Sequence, residues 1–199
     1  MNGLFSQPEK LHLPDSDITY FPNFLTGTEA DHYFTTLLTT VPWQQDLITV
    51  FGKTHPQPRL TALYGNNDKP YSYANITMHP NSFTPLLLAL KDKVDTVAGI
   101  CFTSCLLNLY RTGKDSNGWH ADNEKELGLH PVIASISLGE ERYFHLKHKT
   151  KTAHKHKIRL QHGSLLLMKG ETQQHWLHQI PKTTKAIKER INLTFRVIN

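Results

Sequence analysis

His120 and Asp122 stand one residue apart in the stretch Leu106 to Glu124, LLNLYRTGKDSNGWHADNE. On a strand, residues i and i+2 point to the same face. An imidazole nitrogen and a carboxylate oxygen there can take adjacent positions around one metal ion. A second histidine from elsewhere would complete a 2-His-1-carboxylate set, which suits Fe(II) because it leaves positions open for oxygen and a co-substrate. The pair alone says little: His-x-Asp recurs by chance, and a surface histidine beside an aspartate is the plainer alternative.

A second pattern lies near the C-terminus. Arg190, Asn192, Thr194 and Arg196 alternate with Ile191, Leu193, Phe195 and Val197, the period of a half-buried strand. Two guanidinium groups, an amide and a hydroxyl on one face make a receptor for a small dicarboxylate; an ordinary sheet face meeting water is the alternative. In Leu107-Asn108-Leu109-Tyr110, Asn108 and Tyr110 share a face and add uncharged hydrogen-bonding groups.

Taken in order, NLYR, WHADNE, ASISLG, HGSLLLMKG, WLHQIP and RINLTFR resemble the AlkB-like Fe(II)/2-oxoglutarate dioxygenases, oxidative demethylases of alkylated nucleic acid bases. The resemblance runs from about Tyr20 onward and is nearest to the DNA-repair branch. It implies that His120, Asp122 and His178 ligate iron, with His175 a nearby decoy. It also implies that Asn108 and Tyr110 hydrogen-bond 2-oxoglutarate and that Arg190 pairs with its distal carboxylate. Arg196 would line the same pocket nearer the metal, and Asn192 and Thr194 would support that face. The implied reaction consumes 2-oxoglutarate and molecular oxygen. It hydroxylates an N-methyl group of a 1-methyladenine or 3-methylcytosine type of lesion in DNA and releases formaldehyde. RNA demethylation by the same chemistry is the nearest alternative. A protein or small-molecule hydroxylase and a non-catalytic nucleic-acid-binding module are further ones.

The elements that must hold these residues can be read in outline. The 199 residues suit one domain, with residues 1–18 a loose polar arm, 45–80 a nucleotide-recognition lid and 100–199 the barrel core. Thr26-Gly27-Thr28-Glu29 reads as a capping box opening a helix to about Thr40, with a stripe of Phe34, Leu37, Leu38 and Val41. A second helix spans about Thr84 to Ala98, with Pro85 in its first turn, Gly99 ending it, and Leu87, Leu90, Val94 and Val97 at helical spacing. Strands dominate afterwards: 132–138 with 142–146 as its hairpin partner, then 158–163 and 164–168. The expected class is α+β, mainly β, a double-stranded β-helix (jelly roll) flanked by N-terminal helices. In it, His178 comes from the strand opposite His120 and Asp122.

Substrate contacts are expected from the lid and the barrel mouth. Thr49 to Lys53 suggests a hairpin tip, and the resemblance makes Phe51 a wedge that fills the gap left by a flipped base; a Phe buried under its own hairpin is the alternative. Methylated bases of this type are cationic, so Tyr71, Tyr73 and Trp119 are candidates to hold one by cation–π attraction. Asn123 stands where many relatives have a second aspartate, with Glu124 beside it to supply the charge; Arg142 matches a substrate-side arginine. The tract His145 to Lys157 holds four His and five Lys, a solvated loop or a contact for phosphates; irregular His spacing and the surrounding lysine charges speak against a second metal site there.

A net charge of +5 suits a polyanionic partner. Cys101 and Cys105 form no CxxC pair and are read as reduced. The first residues lack the apolar core of a signal peptide, and no apolar run approaches the roughly 20 residues of a membrane span. A monomer in the cytoplasm, or at the nucleus or nucleoid, is expected.

Overall fold

The computed structural model describes residues 7–50, 52–67, 69–73 and 76–198. In chain order the elements are β1 (Glu9–Leu11), β2 (Asp17–Phe21), α1 (Gly27–Thr40), β3 (Leu47–Val50), β4 (Lys53–Pro56), β5 (Leu60–Gly65), β6 (Tyr71–Tyr73), β7 (Ile76–Met78), β8 (Asn81–Ser82) and α2 (Pro85–Ala98). There follow β9 (Ser104–Tyr110), β10 (Asn117–His120), β11 (Ile133–Gly139), β12 (Arg142–His148), β13 (Lys155–Leu160), β14 (Ser164–Lys169), α3 (Thr172–His175), β15 (Trp176–Ile180) and β16 (Arg190–Arg196).

Two sheets face each other. The major sheet has the order β1-β2-β14-β11-β16-β9-β5-β8 and the minor one β10-β15-β12-β13. This is the jelly roll expected from the sequence. The helices obey their end signals. Thr26 and Glu29 form both halves of a capping box on α1, and Thr84 caps α2 through the Leu87 amide. Gly99 ends α2 in the left-handed region. The stripes are shifted slightly: α1 buries Ala30, Tyr33 and Leu37, with Phe34 and Leu38 only partly covered. Val97 is exposed while Ala98 packs inward.

Both helices lie on one face of the major sheet. Leu37, Leu87, Leu90 and Val94 meet Leu107, Ile136, Leu165 and Leu193 in one apolar cluster. A second cluster, with Phe144, Leu146, Leu166 and Met168, fills the space between the sheets. The strand β16 sits between β11 and β9 in the middle of the major sheet. Its apolar side joins the helices, and its polar side faces the minor sheet. Every residue of β16 is therefore buried, which corrects the half-exposed strand expected from its alternation: a second layer covers the polar face.

Two further expectations give way. The strand β12 is not the hairpin partner of β11. It pairs with β13 and β15, while β11 pairs with β14 and β16. The link crosses from one sheet to the other at Gly139, where φ is +82° and an added Cβ would lie 2.5 Å from the Glu189 carbonyl oxygen and 2.6 Å from the Phe34 ring; only glycine fits there. The expected loose arm is also tied down over its described part. Residues 9–11 pair with β2, and the Trp176 indole donates to the Pro14 carbonyl at 2.9 Å.

Candidate metal and co-substrate site

His120 ends β10, and Asp122 lies just past the strand in a bend. A strand end and a turn, not a shared strand face, bring the two together. His178 lies on β15, directly paired with His120, so it comes from the adjacent strand and not from the opposite side of the barrel. Donor atoms of the three lie within 4.8 Å of one another. The His120 Nδ1–H donates to the Gly118 carbonyl at 2.7 Å, which leaves Nε2 as the lone-pair nitrogen, 3.8 Å from Asp122 Oδ1. The Asn117 amide stands 3.2 Å from that nitrogen. The Phe144 ring stacks on His178 with centroids 5.1 Å apart and fixes its plane.

The protonation states suit a metal. Burial, with His120 adding to it, pushes the His178 imidazole down to about 3, so it is neutral. Burial alone would raise Asp122, but the Arg196 guanidinium 3.1 Å away and the two imidazoles outweigh it and hold the carboxyl at about 2. The Gln173 side-chain oxygen accepts the Asp122 backbone N–H at 2.9 Å. Two imidazoles and one carboxylate are the donor set of an octahedral Fe(II) site with open positions.

These groups open into a cavity of about 520 Å³. Its floor is the polar side of β16 and β9. Arg190 is fully buried: Nη2 donates to Ser137 Oγ at 2.9 Å, while Nε and Nη1 have no hydrogen-bond partner. Burial pulls this guanidinium down to about 10, and the adjacent Tyr110, whose ring centroid is 5.2 Å away, offsets it only in part. A buried cation with two free donors fits a carboxylate ligand. The Asn108 side-chain oxygen accepts from Arg59 Nε at 2.7 Å, so its amide nitrogen is the atom left to donate into the cavity. Asn192 and Thr194 are engaged with each other and with Ser135; they brace the floor.

The substrate candidates divide. Trp119 and Glu124 line the cavity, and Glu124 Oε2 is buried without a partner. Asn123 is exposed and lies outside the lining. Arg142 is corrected: it is buried away from the cavity and donates to the Asp115 and Pro181 carbonyls at 3.1 and 2.6 Å, bracing the floor from behind Tyr110. Phe51 and the side chains of Tyr71 and Tyr73 lie outside the described residues. Arg59, Gln173, Ser135 and Ser137 were not anticipated; each acts through a partner far away in sequence, and no local spacing announces it.

Residues 17–196 match the model of the 2OG-Fe(II) oxygenase superfamily. The chain is 43% identical over 192 residues to the alpha-ketoglutarate-dependent dioxygenase alkB homolog 3 of Bos taurus, covering 92% of this chain and 66% of that protein. It thus spans slightly less than two thirds of that relative. It is 35% identical over 208 residues to the DNA oxidative demethylase ALKBH2 of Mus musculus, covering 99% of this chain and 87% of that protein. The solved structure of OsALKBH1 superposes with a TM-score of 0.69 at 16% identity, over 96% of this chain and 100% of that one, a likeness of fold. With the histidine–aspartate–histidine cluster at the mouth of the same barrel, these matches establish that the chain belongs to the 2OG-Fe(II) oxygenase superfamily.

Proposed function

We propose that this protein is an Fe(II)- and 2-oxoglutarate-dependent dioxygenase that removes N-methyl groups from damaged bases in DNA. The observation that carries the reading is the pairing of two features in one cavity. One is a cluster of two imidazoles and a carboxylate; the other is a buried arginine with two unpartnered nitrogens. The relatives named alkB homolog 3 and DNA oxidative demethylase support the substrate class.

His120, Asp122 and His178 would hold the iron, which when bound activates oxygen for oxidation of the methyl group. Arg190 would receive the distal carboxylate of 2-oxoglutarate, a free nitrogen of its guanidinium donating a charge-assisted hydrogen bond. Asn108, held by Arg59, would donate its amide N–H to the co-substrate. Tyr110 would add a hydroxyl and wall off the Arg190 guanidinium. Arg196 keeps Asp122 ionised and turned toward the histidines. The base would enter past Trp119, extruded from its stack because the methyl lies on the pairing edge. The Glu124 carboxylate, buried and unpartnered at one oxygen, would accept from the exocyclic amine and attract a cationic ring. It takes the part that the exposed Asn123 does not. The protein would act as a monomer.

The test uses iron-loaded protein with 2-oxoglutarate and oligonucleotides carrying 1-methyladenine or 3-methylcytosine, in DNA and in RNA, with mass spectrometry to follow methyl loss. Demethylation of DNA that needs 2-oxoglutarate and is lost in Arg190→Met is the expected result. Succinate formation without methyl loss from DNA would move the substrate elsewhere, and activity confined to the RNA strands would replace DNA by RNA. Glu124→Gln should slow the cationic lesions while leaving uncoupled succinate formation intact; equal rates would remove Glu124 from base recognition.

A further inference from the structure

The lysine-rich tract from His145 to Lys157 is not a uniform loop. Five lysines lie in it, and they have different fates. The Lys149 ammonium donates to the Gln173 carbonyl at 2.9 Å, and Lys151 is tied to Asp15. Lys147, Lys155 and Lys157 instead stand on the outer side of the minor sheet. Lys147 is directly opposite Lys155, and His145 directly opposite Lys157. Like charges placed opposite one another on a sheet destabilise it, so this arrangement calls for a counter-charge from outside.

Two aromatic rings place the ammonium groups. Lys147 Nζ lies 4.3 Å from the centre of the Trp119 ring, and Lys157 Nζ lies 3.7 Å from the centre of the Tyr143 ring. Both rings are substantially exposed, at 40% and 44%. The acidic side chain Glu141 on the edge of this sheet is already paired with Arg159. Trp119, His145, Lys147, Lys155 and Lys157 line a shallow groove. Trp119 also lines the cavity of His120 and Asp122. The groove and the cavity therefore adjoin at Trp119, which walls both.

We propose that this face binds the phosphate backbone of the nucleic acid strand whose base enters the cavity, with Lys147, Lys155 and Lys157 each contacting a phosphate. The assignment rests on the function proposed above for its occupant, and on charge and adjacency to the cavity for its position. An acidic protein would match the charge but has no reason to run into the cavity. A phosphodiester strand, with its base in the cavity, must leave past Trp119.

The experiment compares the wild-type full chain with K147Q/K155Q/K157Q. The first readout is binding of an unmodified, fluorescently labelled single-stranded DNA across a salt series. The second is turnover of 3-methylcytosine in a trinucleotide and in a long oligonucleotide. Loss of three phosphate contacts should flatten the slope of log K against log salt by about 2 and weaken low-salt binding at least about tenfold. Turnover of the long substrate at limiting concentration should fall in step. Turnover of the trinucleotide, too short to reach the sheet, should stay at the wild-type rate. Unchanged affinity and slope overturn the proposal, as does an equal loss on the trinucleotide. A variant that loses binding to a polyglutamate peptide but keeps DNA binding assigns the face to an acidic protein and overturns it too. If neither protein demethylates any oligonucleotide, the function proposed above falls, and the binding series still decides the fate of the face.

Discussion

Among the described residues, two clusters satisfy the same simple rule of two histidines and an aspartate with donor atoms within 4.8 Å: His120, Asp122 and His178, and Asp15, His148 and His175. Only the first is arranged to hold a metal. In the second, His148 Nδ1 accepts the backbone N–H of Lys151 at 3.0 Å and that of Thr150 at 3.2 Å. A nitrogen facing two donors must be the unprotonated one. Nε2 therefore carries the hydrogen and donates to Asp15, 3.1 Å away. The Lys151 ammonium occupies the same carboxylate oxygen. The second cluster is a clip that fastens the segment before β2 to the β12–β13 hairpin. In the first cluster His120 gives its Nδ1 hydrogen to Gly118 and turns its lone pair to the cavity. Proximity of donors is shared; the direction of their hydrogens is not, and that direction decides the chemistry.

The comparison is most directly broken at its histidines. His178→Ala should abolish both turnover and the binding of one equivalent of a redox-silent surrogate such as Mn(II), followed by electron paramagnetic resonance. His148→Ala should leave one equivalent bound. Loss of metal from the second variant, in folded protein, would overturn the distinction. A smaller effect is expected at the groups that hold the ligands. Gln173→Leu removes the acceptor for the Asp122 backbone N–H, and Arg59→Leu removes the partner of Asn108. Each should cost roughly 10–100-fold, the first in metal affinity and the second in apparent 2-oxoglutarate affinity; a swapped pattern would show that the two supports are misassigned.

At the second cluster the effects fall on stability. His148→Ala leaves two backbone N–H groups without their acceptor and should lower unfolding free energy by about 1–3 kcal/mol in urea titrations, with the turnover of folded protein unchanged. The smallest effect is electrostatic. The Lys151 ammonium, and after it His148, hold the Asp15 carboxyl below its ordinary value. A lowered folded value stabilises above the unfolded value and is lost as pH falls through the folded one. The melting-point gap between wild type and Asp15→Asn should therefore be present at neutral pH and close below about pH 4. A gap that persists there would mean that Asp15 acts through shape and not charge.

Much of the site was legible because its residues sit on regular elements or are fixed by short spacing. The 190–196 alternation marked the polar floor of the cavity, and Thr26, Glu29, Thr84 and Gly99 marked the helix ends. The choice of sheet was not legible. β11 and β12 are joined by two residues, the length of a hairpin loop, and β11 is buried on both sides, so it lacks the period that would show which way it faces. The clue lay in β12, whose alternate residues Tyr143, His145 and Lys147 demand an open side. Arg59 and Gln173 were hidden for another reason. Each pairs with a backbone or side chain about fifty positions away, and only the closed barrel brings them together.

The position of β16 has a consequence for how the molecule is made. Its neighbours β9 and β11 are synthesised first, yet they are not hydrogen-bonded to each other; residues 190–196 alone join the two halves of the major sheet. Until that strand leaves the ribosome, the nascent chain carries two open sheet edges, each a template for pairing with another chain. The pairings that heal them span up to 92 residues, Ser104 to Arg196, and such long-range closure is slow. The strand that carries Arg190 and Arg196 follows every other strand of the major sheet, so a chain arrested before it lacks the floor of the cavity and is prone to self-association.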